Sequence, residues 1–306
     1  MGDQITSTEL ANSTPEVWAA QTLEYLPKFL GLLNTVTLDM GFAEIAKHGD
    51  TVNIQTDGSL SVNDKSAGSN VTLQKPSDSN LAVTIDTHKE ITFSPEDVAR
   101  SLAKPDVIKN LSRQAALRIA EAVEADVAGL YTGAGATINA VGLSGTNLKA
   151  KFYEARRRLI SAKVPLLENK FAYMSEFFME DFLQADVLQD ASKIGSNRPL
   201  VDGAIGRFAS FDFFETQAVV TSGSPYNYHN LLYAKSGIIF VPRALPTDAE
   251  TFGGAKQGRV TDPRNGLSVR VTMSYNADAL APQITFDVLY GKSVLRSDHL
   301  IDIQTT

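Results

Sequence analysis

The stretch HGDTVNIQTDGSLSVNDKSAGSNVTLQKPSDSNLAVTIDTH, residues 48–88, has the ends of a β-hairpin and a middle without the apolar residues of a core. Apolar and polar residues alternate at both ends, with Val52 and Ile54 in the first strand and Leu81 and Val83 in the second. The middle is rich in Gly, Ser, Asn and Asp, which favour turns and provide no stripe for packing. An isolated two-stranded ribbon is only marginally stable in water. We therefore expect another surface to hold this hairpin in place.

The composition is that of a globular protein without thiol chemistry. The chain has 306 residues, 43% hydrophobic and 21% charged, which suffices for one large core or two smaller ones. It contains no cysteine, which excludes disulfides, thiolate metal sites and cysteine nucleophiles. The formal net charge of -7 argues against a reader of nucleic-acid sequence, because phosphate contacts need clustered Lys and Arg. The longest apolar run, GIIFVP at 237–242, is too short for a membrane helix.

One helical segment is predicted before the hairpin and another after it. TPEVWAAQTLEYL, residues 14–26, has an N-cap, a proline at the first helical position and an apolar face. SPED at 94–97 is a helix start, with Ser94 as N-cap. After Pro105, apolar residues from Ile108 to Leu130 recur at spacings of three and four. The spacing of apolar residues after Pro105 predicts a helix of about 25 residues, or about 38 Å.

The second half of the sequence predicts a mixed α/β region. TGAGATINAVGLSGTN at 132–147 has the composition of a linker, with Asn147 as the cap of the helix LKAKFYEARRRLISAK. KFAYMS predicts a strand, and Ser175 caps a helix with Phe178 and Phe182 on one face. Further strands are predicted in FASFDFFETQAVVTS, LLYAKSGIIFVP, LSVRVTMSYN and QITFDVLYG.

No motif in the sequence predicts a catalytic residue, a cofactor or a metal site. The sequence contains neither a phosphate loop nor an HExxH pair, and GLSGT at 142–146 fails the pattern of a serine nucleophile elbow. The four histidines have no partner at metal-ligand spacing and are expected on the surface or at strand ends. They are His48, His88, His229 and His299.

The order of arm, polar hairpin, long helix and α/β region resembles that of tailed-phage major capsid proteins with the Hong Kong 97-type fold. The resemblance covers nearly the whole chain. Its stretches are GDTVNIQT, then ITFSPEDVARSLAKPDVIKNLSRQAALRIAEAVEADVAGLY, then PLVDGAIGRFASFDFFET, NLLYAKSGIIFVPRALP, VRVTMSYN and ITFDVLYGKSVLRSDHLIDI. In the last of these, Tyr290 and Gly291 are expected at a turn. None is a strict signature, and their order is more specific than any one of them.

The resemblance implies an α+β fold and a division of the chain into five parts. These are an N-terminal arm (1–47), an extended loop (48–93), a peripheral domain with the long spine helix (94–134), an axial domain (135–262) and closing strands that return to the peripheral domain (263–306). It also implies hexamers and pentamers of the chain that form an icosahedral head around double-stranded DNA, without catalysis. We expect a virion protein that assembles in the host cytoplasm, away from membranes, with a scaffolding protein, a portal and a decoration or cement protein as partners. Contact with the packaged DNA would be non-specific.

Charged residues in the loop and on the helix after it are candidates for contacts between subunits. They are Asp57, Asp64, Lys65 and Lys75 in the loop, and Arg156, Arg157 and Arg158 on the helix. The three arginines alternatively form a solvated helix face or contact enclosed nucleic acid. Some members of the family crosslink a loop lysine to a neighbour's asparagine with help from a glutamate. Lys65 lies near the predicted tip, but no Asn or Glu can be paired with it, so an ordinary solvated lysine is expected.

Two other functions are compatible with these patterns. An encapsulin-like compartment resembles the same architecture but encloses an enzyme instead of a genome. A monomeric α/β enzyme with a hairpin lid belongs to a different class, and it predicts a pocket with convergent polar groups.

Overall fold

The computed structural model describes residues 31–38, 51–56, 60–75, 79–95, 107–184, 206–223, 227–247, 255–276 and 281–305. The predicted arm helix, most of the arm and the helix start after Pro95 lie outside these residues.

The described residues form fifteen β-strands and three α-helices. In chain order they are β1 (Thr37–Leu38), β2 (Thr51–Thr56), β3 (Ser79–Thr84), β4 (Thr87–Phe93), α1 (Val107–Ala128), β5 (Ala136–Asn139), α2 (Gly145–Ser161), β6 (Lys170–Met174), α3 (Glu176–Leu183), β7 (Arg207–Phe208), β8 (Phe211–Glu215), β9 (Thr221–Ser222), β10 (Asn227–Ala234), β11 (Ile238–Arg243), β12 (Lys256–Thr261), β13 (Ser268–Asn276), β14 (Ala281–Val294) and β15 (Leu300–Thr305). Single 3-10 turns lie at Leu32–Asn34, Gly129–Gly133, Lys235–Gly237 and Ser297–His299.

Two large sheets and one two-stranded ribbon organise these strands. The first sheet has the order β1-β11-β14-β13-β12, with β4 also paired to β14. The second has the order β5-β15-β10-β6-β8-β7, with β9 paired to β10. The ribbon consists of β2 and β3. Sheet membership groups the strands differently from the predicted limits at 134 and 262. β11 and β12 share a sheet with β13 and β14, while β15 joins the other sheet. The limits themselves stay a prediction.

Helix α1 crosses the first sheet and buries the face that its sequence predicts. Its 22 residues correspond to about 33 Å. Ile119, Val123 and Val127, at spacings of four, are almost completely buried. They belong to the same apolar cluster as Phe240 and Phe286 of the sheet. The expected long helix is therefore confirmed, and it ends in the 3-10 turn Gly129–Gly133.

A second core lies where α2 and α3 cover the second sheet. Phe152 of α2 and Phe178 and Phe182 of α3 are completely buried, and their rings lie 4.8 to 6.0 Å apart. Ser175 caps α3 as predicted, accepting a hydrogen bond of 3.2 Å from the Phe178 N–H. This cluster fixes the outer surface of α2, because one face of that helix is taken up by the core.

The glycine-rich stretch predicted as a linker contains a strand instead. β5 pairs in parallel with β15, from Ala136 opposite Ile301 to Asn139 opposite Gln304. The flanking Gly135 permits a close approach, because a Cβ there would lie 2.6 Å from the Ser297 carbonyl oxygen. α2 also begins at Gly145, before the predicted cap Asn147. The composition therefore reflects tight backbone packing as well as turns.

Two further expectations about strands are wrong in detail. The second strand of the hairpin, predicted over NLAVTIDTHKEITF at 80–93, divides in two after Thr84, because β3 pairs with β2 whereas β4 pairs with β14 in the large sheet. Tyr290 and Gly291 lie within β14 and not at a turn. Gly291 is needed there because a Cβ would lie 2.6 Å from the Thr84 carbonyl oxygen, where β14 passes the base of the ribbon.

Candidate assembly surfaces

The base of the hairpin is anchored to the body of the protein. β2 and β3 form an antiparallel ladder from Thr51 opposite Thr84 to Thr56 opposite Ser79. Val52 and Val83 are buried at this base in a small cluster with Ile239 and Val241 of β11. The close approach of Gly291 adds a backbone contact. The hairpin therefore leaves the body from a fixed position.

Beyond this base, residues 60–75 form an extended loop without a core. The Gln74 side chain holds the two legs together, since it accepts from the Ser61 N–H at 2.7 Å and donates to the Ser61 carbonyl oxygen at 2.5 Å. At the far end the Ser69 N–H donates to the Ser66 carbonyl oxygen at 3.2 Å, and Gly68 has a φ of 82°. The loop is thus shaped by polar contacts of its own.

Four large apolar side chains of this loop point into solvent. The exposed fractions are 69% for Leu60, 99% for Val62, 66% for Val71 and 92% for Leu73. We call these four residues the tip stripe. Sequence reasoning missed them, because Ser, Asn and Lys separate them. The alternation at positions 60 and 62, and again at 71 and 73, is the signal that could have revealed them.

The charged candidates of the loop are displayed in the same way. Asp64, Lys65 and Lys75 are all exposed. Asp57 lies outside the described residues. No ion pair joins these three side chains to any other described residue. Their role in contacts between subunits stays a prediction.

A groove lies between α1 and β4. Ile91 and Phe93 of β4 line one side of a cavity of about 510 Å³, and α1 lines the other. The residues from α1 are Leu111, Gln114, Ala115, Leu117 and Arg118. We call this feature the α1–β4 groove. Its walls are mainly apolar, with the Arg118–Glu121 ion pair (2.7 Å) on the adjoining helix surface.

The three arginines of α2 have two different environments. Arg158 pairs with Glu154 one turn earlier at 2.8 Å, and this hydrogen bond, with the charge of Lys151, holds the pKa of Glu154 below its usual range. Arg156 and Arg157 are exposed and form no ion pair within the described part of the chain. Arg157 and Arg158 also line a cavity of about 280 Å³ beside Gly135. A contact with another subunit stays a prediction for all three.

A buried carboxylate of α1 fixes the segment that emerges from the arm. Glu124 accepts a hydrogen bond from the Leu32 N–H at 3.0 Å, a second from the Gly31 N–H, and a third from the Tyr173 hydroxyl at 2.8 Å. Leu32 and Leu33 are completely buried beside it. Residues 31–38 are therefore packed against the body of the protein.

The expectation that the histidines lie on the surface or at strand ends is wrong for His229, which is buried within β10, whereas His299 directly precedes β15. His229 and His299 are 5% and 4% exposed, and the His299 Nδ1 lies 2.7 Å from the Ser236 hydroxyl in the turn Lys235–Gly237. His229 Nδ1 lies 2.9 Å from an Asp302 carboxylate oxygen and its Nε2 lies 2.7 Å from the Ser222 hydroxyl. His88 is half exposed and lies 3.0 Å from Asp287. His48 lies outside the described residues.

The hydrogen-bonded series Ser222–His229–Asp302 has the side chains of a hydrolase triad but not the open pocket that a triad needs. The Tyr131 ring stacks on the imidazole, with the two centroids 3.8 Å apart. Neither cavity described above reaches these residues. Burial raises the pKa of Asp302, although the bond to His229 opposes this shift. The series joins β9, β10 and β15 and needs no substrate to explain it.

The described residues show neither a metal cluster nor a membrane-spanning helix. No group of three or more His, Asp or Glu within them could hold an ion. No helix among them is long and apolar enough to cross a membrane.

Comparison with solved structures identifies the fold. A structure from Mycobacterium phage Che8 superposes with a TM-score of 0.65 at 18% identity, covering 88% of this chain and 89% of that one. The capsid of the cyanophage P-SCSP1u gives 0.63 at 14% identity, covering 84% of both chains. The acidic stable capsid of Helicobacter pylori bacteriophage KHP30 gives 0.61 at 10% identity, covering 90% and 88%.

The chain has the Hong Kong 97-type fold of phage capsid proteins. No protein-family model matches its sequence, and neither does any curated protein. The similarity therefore lies in the arrangement of the elements and not in shared residues. The Hong Kong 97-type fold confirms the expected α+β class, with α1 as a long helix against one sheet and with a hairpin that projects from the body. The five predicted parts of the chain stay a prediction.

Proposed function

We propose that this protein is the major capsid protein of a tailed phage and that it assembles into the hexamers and pentamers of an icosahedral head around double-stranded DNA. The observation that carries the proposal is the projecting hairpin, which has a fixed base, a defined shape and four exposed apolar side chains beyond that base. A monomer gains nothing from ordering these residues in water. A shell of identical subunits would bury them.

The α1–β4 groove is the surface that suits the tip stripe. Its walls offer Ile91, Phe93 and Leu111, which match aliphatic side chains such as Val62 and Leu73. A leg of ten residues reaches at most about 35 Å, enough to pass the edge of its own subunit. We infer that the loop of one subunit lies in the groove of the next. Such contacts are heterologous and generate rings when the rotation between subunits closes.

The genome-enclosing function is favoured over the encapsulin-like alternative. Two of the three structures compared above are phage capsids by their titles. The Tyr131 ring covers the His229 imidazole, and neither of the two cavities reaches it. Both observations agree with a non-catalytic role. A scaffolding protein, a portal and a decoration protein remain proposed partners, and the virion is the proposed location, with assembly in the host cytoplasm.

Particle analysis tests this function. The chain is expressed alone and together with a candidate scaffolding protein, and the particles are separated by sedimentation and viewed in negative stain. We expect uniform hollow shells, or rings of five and six subunits. Shells that consistently enclose one enzyme would favour the compartment, and a 33.1 kDa monomer under every condition would contradict both shell functions.

A further inference from the structure

The loop between α2 and β6 displays two leucines at the tip of a turn. Leu166 is 79% exposed and Leu167 is 98% exposed. The Glu168 N–H donates to the Pro165 carbonyl oxygen at 3.1 Å, so the leucines occupy the two central positions of a β-turn. Those positions usually carry Gly, Asn, Asp or Pro. We call Pro165–Glu168 the leucine turn.

Buried polar groups hold the leucine turn in place. Lys170 is 3% exposed, and its ammonium donates to the carbonyl oxygens of Pro165 at 3.2 Å and Glu168 at 3.1 Å. The Glu168 carboxylate accepts from the Ser236 N–H at 2.6 Å. A buried lysine is costly unless it is hydrogen-bonded, and here its bonds fix the backbone on both sides of the leucines. The display of the leucines is therefore part of the fold.

The surface beside the leucine turn is basic. Arg156 and Arg157 are exposed on α2 and have no acidic partner in the described part of the chain. Ile160, 43% exposed, lies one turn further along this helix, towards the leucine turn. After burial and the opposing charge of Glu168, the charge of Arg156 is the next influence on the pKa of Lys170, which is lowered. Helix α2 ends at Ser161, four residues before Pro165, so the last turns of the helix, which carry Arg156, lie next to the leucine turn along the chain.

An acidic and aromatic patch lies at the other end of β6. Glu176 and Glu180 are exposed one turn apart on α3, and Phe177 between them is 46% exposed. The Phe177 ring packs on Tyr228, with the centroids 4.9 Å apart. We call Glu176, Phe177 and Glu180 the acidic patch. The leucine turn precedes the five-residue strand β6 and the acidic patch follows it, so about 17 Å of strand separates them.

We propose that the leucine turn and Arg156–Arg157 of one copy of this chain bind the acidic patch of the next copy. The apolar tip of one surface meets an exposed aromatic ring on the other, and two arginines meet two glutamates. Because the two surfaces lie at opposite ends of one strand, they cannot meet within one subunit. The contact is head-to-tail, the type that closes identical subunits into a ring. This inference rests on the proposed capsid function and adds a second contact to that of the hairpin.

Reversal of the charges tests the contact. Arg156→Glu with Arg157→Glu, and separately Glu176→Lys with Glu180→Lys, should each lower the fraction of rings by at least tenfold in sedimentation velocity. All four changes in one chain should restore the rings, because the attraction is then re-formed with opposite sign. Leu166→Ser with Leu167→Ser should also lower ring formation. Every changed side chain is exposed, so we expect each variant to remain folded. Thermal unfolding of each variant verifies this.

The outcomes separate this inference from the proposed function. Folded single reversals that form rings as the unchanged protein does would overturn the contact and leave the capsid function standing. Loss of rings in both reversals without recovery in the combined variant would also overturn it, because the two surfaces would then face other partners. An unchanged protein that forms neither rings nor shells would overturn both.

Discussion

Single residues in this protein are explained by close backbone approaches and by buried charges that have partners. Gly291 is a glycine because β14 passes the carbonyl of Thr84, and Glu124 is a glutamate because two backbone N–H groups and a hydroxyl point at it. Neither reason is visible in the sequence, where Gly291 resembles a turn residue and Glu124 one more polar residue of a helix. At this scale, sequence reasoning identifies residue types and the structure supplies their causes.

Gly291→Ala should destabilise the subunit. The added Cβ would lie 2.6 Å from the Thr84 carbonyl oxygen and 3.2 Å from the Ile85 Cα, and backbone cannot move away cheaply. We expect the free energy of unfolding to fall by about 1–3 kcal/mol in urea denaturation. Gly129→Ala is the matched control, since nothing lies within 4 Å of its Cβ position. Equal stabilities for the two variants would show that β14 does not pass so close to the hairpin.

Asp126→Asn should remove a pH-dependent part of the stability. Burial raises the pKa of Asp126, but hydrogen bonds from Tyr290, Lys292 and Lys89 outweigh this effect and hold the pKa below its ordinary value of 3.8. Because the folded pKa is depressed, the contribution is present above pH 3.8 and is lost as the pH falls through the folded pKa. At pH 7 the variant should be less stable by about 1–3 kcal/mol.

The test of this linkage is the pH dependence of the difference. Unfolding of both proteins is measured between pH 7 and pH 2.5, and the difference in the free energy of unfolding should shrink below pH 4. A difference that stays constant down to pH 2.5 would show that the carboxylate of Asp126 is not stabilised by its three neighbours.

At the scale of elements, periodicity predicts most of the fold and fails where the backbone itself is packed. The spine helix, the strand 170–174 and the cap at Ser175 follow from apolar spacing and from the cap residue. The strand 136–139 does not, because it is short and only Ile138 is buried in it. The division of the hairpin's second strand between two sheets depends on pairing partners that lie some 200 residues away.

The candidate surfaces were predicted only in part. The hairpin and the two exposed arginines could be predicted, since polar turn residues and an Arg run are visible in the sequence. The tip stripe and the leucine turn could not, because the exposure of a leucine depends on which neighbours the fold brings to it. Leu167 and Leu159 are the same residue type, eight positions apart, and one is 98% exposed while the other is completely buried.

Val62→Ser with Leu73→Ser should leave the subunit folded and prevent closed shells. Both side chains are more than 90% exposed, so their loss should change the free energy of unfolding by no more than about 0.5 kcal/mol. Shell yield in negative stain should fall sharply, because the stripe loses half of its apolar residues. The matched control is Asn63→Ser, which alters an exposed polar residue of the same loop without touching the stripe. Normal shells from the double variant would exclude the tip stripe as an assembly contact.

At the scale of the whole molecule, the chain carries apolar surface that its own fold cannot cover. The tip stripe and the leucine turn are both held by polar contacts of the subunit, and both are displayed to solvent. A net charge of -7 keeps such a subunit soluble before assembly. Under the proposed capsid function, several separate contacts, each of modest strength, would allow identical subunits to occupy both hexamers and pentamers without one dominant bond.

Disulfide trapping tests the central claim most directly, because the natural chain has no cysteine and an introduced pair can therefore react only with itself. Val62→Cys is placed at the loop tip and Gln114→Cys in the α1–β4 groove, and assembled particles are oxidised and run on a denaturing gel without reductant. We predict a ladder of linked subunits for the double variant, a monomer band for the Gln114→Cys variant and at most a dimer for the Val62→Cys variant. A monomer band from fully assembled double-variant shells would contradict the claim that the hairpin of one subunit lies on its neighbour.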